Sequence, residues 1–123
     1  DRPANKGVGE FMSELIPSDV YRSFMESGTD WADKLGAAEL LESSLKSVKA
    51  QLTLEAKHQE GCSMAEAVEI ALSAHSYRDF MKDAIEARTA ANRARVRYDA
   101  TKALFEARRT AEASERAAMR SAT

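Results

Sequence analysis

From Trp31 to Ala56 the apolar residues recur every three or four positions: Trp31, Leu35, Ala38, Leu41, Leu45, Val48, Leu52 and Ala56. Seven turns with one apolar stripe predict an amphipathic helix over 30–58, started by Thr29 or Asp30. Upstream, Val20, Tyr21, Phe24 and Met25 suit a shorter helix capped by Ser18 or Asp19. Ser27-Gly28 is read as its end, because glycine tolerates the left-handed conformation past a helix C-terminus. Glu10–Ile16 is read as a short helix stopping before Pro17. Residues 1–8, with Pro3 and Gly7, are read as a mobile arm. Gly36, inside the long stripe, suggests a close contact with another helix.

Gly61 closes the 30–58 helix. Ser63-Met64-Ala65-Glu66 then has the form of a capping box, in which the serine oxygen and the glutamate carboxylate each take an orphan amide. The turn at 59–63 therefore joins two helices that run antiparallel. From Cys62 to Thr123 the chain has neither glycine nor proline and is rich in Ala, Arg and Glu, all good helix formers.

Within that run the apolar face changes direction. Met64, Val68, Ala71, Leu72 and His75 fall on one side of an ideal helix. Phe80, Ala84, Ala87, Ala91, Ala94, Tyr98, Thr101 and Phe105 fall on nearly the opposite side. Two readings fit. Either a new helix starts near Ser76, with Asp79 at its third position, or one continuous helix packs on different neighbours along its two halves. The second stripe keeps a seven-residue repeat and is mostly alanine, which suits close, coiled-coil-like packing. A 30–58 helix is too short to cover it. Ala87, Ala91, Ala94, Tyr98, Thr101 and Phe105 are therefore expected to meet a second copy of the chain, in a homodimer or larger assembly, with an antiparallel pairing favoured. Tyr21-Arg22-Ser23-Phe24-Met25 is echoed by Tyr77-Arg78-Asp79-Phe80-Met81, but the flanking residues do not align and the echo is taken as coincidence.

The expected architecture is thus all-α: an antiparallel helical hairpin with short N-terminal helices and a long C-terminal helix. At 123 residues it forms a single domain. It comprises an arm at 1–8, N-terminal helices and one hairpin arm at 9–61, and the C-terminal segment 62–123, broken near 76 on the first of the two readings and continuous on the second. A lone cysteine, Cys62, excludes an internal disulfide and favours a reducing compartment. No apolar run approaches the roughly 20 residues that span a bilayer, so no membrane association is expected.

Charge changes the picture at one place. Net charge is only −2, yet residues 86–109 hold 7 Lys/Arg against 3 Asp/Glu, while residues 1–61 hold 7 against 11. Arg88, Arg95, Lys102 and Arg109 recur every seven residues. Such a line could follow phosphates. Asn92, Asp99 and Glu106 lie between them, however, and Arg95–Asp99, Asp99–Lys102, Lys102–Glu106 and Glu106–Arg109 all have i, i+3 or i+4 spacing. A salt-bridge ladder is the favoured reading. The residues left for nucleic-acid contact are Arg88, Arg93, Arg97 and Arg108.

Catalytic chemistry finds little support. His58 and Cys62 straddle a helix end, His75 sits on the apolar face of its segment, and a zinc site needs three or four such ligands. No phosphate-binding glycine loop and no nucleophile–base pair is present. No catalytic, cofactor or metal residue is assigned, and a non-enzymatic protein is expected.

The run Arg97-Tyr98-Asp99, followed by Phe105-Glu106-Ala107-Arg108-Arg109-Thr110-Ala111-Glu112 and Arg116-Ala117-Ala118-Met119-Arg120, resembles the ending of small phage and prophage helical proteins found near recombination genes. The resemblance covers about residues 97–120 and implies an accessory of a phage recombination or replication module in the cytoplasm of the bacterial host. It carries over no catalytic residue. The expected function is protein–protein contact by a helical oligomer, with direct DNA or RNA binding through 88–109 as the alternative.

Overall fold

The computed structural model describes residues 18–122, and the arm at 1–8 and the helix at 10–16 lie outside them. Three helices account for all described residues except Gly61, Cys62, Ser63 and Ala74: α1 (Ser18–Glu60), α2 (Met64–Ser73) and α3 (His75–Ala122). No described residue is in a strand.

The end expected at Ser27-Gly28 does not occur, and α1 runs through it for 43 residues. The reason lies in packing. A Cβ at Gly28 would stand 3.2 Å from Cε1 of Tyr98, so glycine serves here to admit an aromatic ring from α3. Ser27 supports this approach, since its hydroxyl lies 2.6 Å from that of Thr101 and 3.0 Å from the Phe24 carbonyl. Whichever hydroxyl donates across the seam, the other can donate back to its own helix. Gly36 gives the opposite result: nothing lies within 4 Å of a Cβ built there, so the close contact expected of it is absent.

The turn after α1 follows the sequence closely. Gly61 adopts φ 63°, a left-handed conformation that suits glycine, and its amide donates to the Lys57 carbonyl at 3.0 Å. The capping box forms as read, with Glu66 N donating to Ser63 Oγ and Ser63 N donating to Glu66 Oε1, both at 3.2 Å.

Of the two readings of the C-terminal half, the helix breaks, but at Ala74 rather than Ser76. Ala74 has extended backbone (φ −63°, ψ 137°), and its carbonyl accepts the amide of Arg78 at 3.1 Å. Ser76 caps nothing. Asp79 faces His75, with Oδ2 3.2 Å from Nε2. Burial explains the break. Ala67 and Ala71 of α2 are buried, as are Tyr77 and Ala84 of α3. On an uninterrupted helix Ala71 and Tyr77 would point roughly 120° apart. The interruption lets both faces turn inward.

The described residues divide into two compact units, one formed by residues 18–31 and 94–122, the other by Ala32–Arg93. In the first, α1 and α3 run antiparallel around an aromatic cluster. Phe24 stacks on Phe105 (ring centroids 4.7 Å apart) and on Tyr98 (5.6 Å), Tyr21 meets Phe105, and Trp31 meets Tyr98. In the second unit the buried positions are nearly all alanines: Ala38, Ala56, Ala67, Ala71, Ala84 and Ala91, joined by Tyr77 and Thr53. The Thr53 hydroxyl donates to the Lys49 carbonyl, which satisfies it inside the helix.

Candidate functional site and interaction surfaces

The residues expected to meet a second copy are turned inward instead. Ala91, Ala94 and Phe105 are buried, and Ala87, Tyr98 and Thr101 are half-buried. The premise that the chain cannot cover this stripe fails because α1 begins near residue 18 rather than 30. Tyr21, Phe24 and Trp31 occupy the place assigned to a partner helix.

The arginines proposed for nucleic acid divide into two pairs. Arg88 is committed to Glu42 of α1 in a bidentate ion pair, Nε donating to Oε2 at 2.8 Å and Nη2 to Oε1 at 2.7 Å. The two hydrogen bonds from Arg88, reinforced by its charge, hold the Glu42 carboxyl below its ordinary value of 4.5, and the Arg88 guanidinium is pushed up in turn. Arg97 is committed to Asp30, with Nη2 donating to Oδ2 at 3.0 Å. Arg93 and Arg108 are exposed and make no ion pair among the described residues.

The expected ladder is reduced to one rung. Arg95–Asp99 is formed, at 3.9 Å, while Lys102, Glu106 and Arg109 have no ion-pair partner among the described residues. Arg95 also lies over the Trp31 ring, 5.8 Å from its centroid. The basic segment thus spends its best-placed arginines on carboxylates of α1. Sequence could not show this, since Glu42 and Asp30 are 46 and 67 residues away from their partners.

His75 is corrected as well. Placed by its spacing on the apolar face of its segment, it is instead solvent-exposed beside Asp79. His58 and Cys62 line a shallow cleft with Leu54, Lys57 and Gly61. Among the described residues no group of three or more His, Cys, Asp or Glu is placed to hold a metal ion. A second cleft, about 220 Å³, lies between α1 and α3 in the Ala32–Arg93 unit, lined by Leu45, Met81, Ala84, Ile85 and Thr89 beside the Glu42–Arg88 pair. In the first cleft the Cys62 thiol turns to the Ala56 carbonyl, 3.9 Å away.

What the sequence reading missed is the outer surface. Among the described residues no large side chain is fully buried, whereas Leu40, Leu54, Ile85, Val96, Leu104 and Met119 are each at least half exposed. Leu40, Ser47 and Leu54 stand seven apart on one exposed face of α1. On α3, Val96, Ala100, Ala103, Ala107, Thr110 and Ser114 follow one another at three- and four-residue spacing, all exposed and none charged. The spacing was visible in the sequence, but the larger aromatic stripe on the opposite side drew the assignment. No described helix is long and apolar enough to cross a membrane.

The chain matches no family model, no curated protein and no solved structure.

Proposed function

We propose that the protein is a non-enzymatic helical adaptor that works by protein–protein contact, with a second copy of its own chain as the first partner. One observation carries this reading. In the Ala32–Arg93 unit the buried positions are nearly all alanines, while Leu40, Leu54 and Ile85 remain on the outside. Full burial of such a side chain is worth up to about 1.5–3 kcal/mol, and covering several of them at once sets that gain against the freedom lost on association. The stripe Ala87–Phe105 is already used within the chain, so the proposed contact lies on the outer faces of α1 and α3. A role beside a phage recombination or replication module, in the host cytoplasm, belongs to the same proposal and is supported by the resemblance of residues 97–120. Light scattering of the purified protein from about 1 to 100 µM tests the association, and a monomeric mass throughout removes it.

Direct nucleic-acid binding is the second reading, favoured only by Arg93 and Arg108, which are exposed and make no ion pair among the described residues. Phosphate contacts weaken steeply as salt rises. Binding to single- or double-stranded DNA or RNA that falls steeply with salt, and is lost in Arg93→Glu/Arg108→Glu, would establish it. Absence of binding at low salt would discard it.

A further inference from the structure

We draw no further inference here: the strongest candidate, the exposed uncharged strip of α3 from Val96 through Ala103 and Ala107 to Ser114, is a stripe of small side chains and nothing in the structure shows what covers it.

Discussion

Two glycines in one helix make opposite demands on the same substitution. Alanine in a helix interior is worth up to about 1 kcal/mol over glycine. At Gly36 the added methyl would meet nothing within 4 Å. Gly36→Ala is therefore expected to stabilise the fold by about 0.5–1 kcal/mol in urea unfolding. At Gly28 the methyl would press on the Tyr98 ring at 3.2 Å, and Tyr98 is held by Phe24 and Trp31. Gly28→Ala is expected to lose that gain or to destabilise. Equal stabilisation by both variants would show that the Tyr98 contact does not constrain the helix. The sequence reading made Gly28 a helix end and Gly36 the close contact, and the close contact falls at Gly28 because of a ring 70 residues further on.

Titration supplies a second test at this scale. Glu42 and Glu66 both have carboxyls held below the ordinary 4.5, Glu42 by Arg88 and Glu66 by the Ser63 amide and then its hydroxyl. A carboxyl whose folded value is depressed contributes stability above its unfolded value. That contribution is lost as pH falls through the folded value. The fold should therefore weaken as pH drops below about 4.5, and Glu42→Gln should flatten this dependence while leaving the helix content at pH 7 intact. An acid profile identical in Glu42→Gln would mean the ion pair does not couple to folding. The raised Arg88 stays charged across this whole range and adds no slope of its own.

At the scale of helices, local chemistry was legible where it acts over four residues and illegible where it depends on a distant surface. Gly61 and the Ser63–Glu66 box fix the start of α2 by themselves, and both were readable. Ser63→Ala should cost about 1 kcal/mol, as loss of a serine cap usually does. An unchanged midpoint in urea would mean that tertiary packing alone sets this boundary. The break at Ala74 has no such local signal. Ser73, Ala74, His75 and Ser76 include no glycine or proline, and the alanine offers no capping side chain. Only the opposed apolar faces on either side pointed to it, and they fitted a continuous helix as well as a break. The Ser27-Gly28 pair misled for the converse reason. It has the composition of a helix end, yet it lies where Tyr98 and Thr101 of α3 pack against α1. Likewise the stripe from Ala87 to Phe105 was read correctly as a packing face. Its occupant was misassigned, because the extra turns of α1 that cover it were taken for a separate short helix.

For the molecule as a whole, the exchange of partner changes what a mutation should do. Had Tyr98 and Phe105 formed an interface between copies, Tyr98→Glu/Phe105→Glu would leave a helical monomer. In the structure Phe105 is 6% exposed and stacks on Phe24 within one chain. Two carboxylates buried there without partners would be strongly destabilising. The double variant is expected to lose much of its helical circular dichroism at 25 °C, not merely to halve its mass. The outer surfaces should behave differently. Leu40 and Val96 are each 68% exposed, so Leu40→Glu/Leu54→Glu and Val96→Glu/Ala103→Glu should retain wild-type helicity. If copies associate through the outer face of α1 or of α3, one of these pairs shifts the mass toward monomer at concentrations where the wild type is larger. A wild type that associates, together with two folded pairs of unchanged mass, would place the contact elsewhere on the chain. Retained helicity and a halved mass in Tyr98→Glu/Phe105→Glu would instead return the aromatic stripe to an interface between copies.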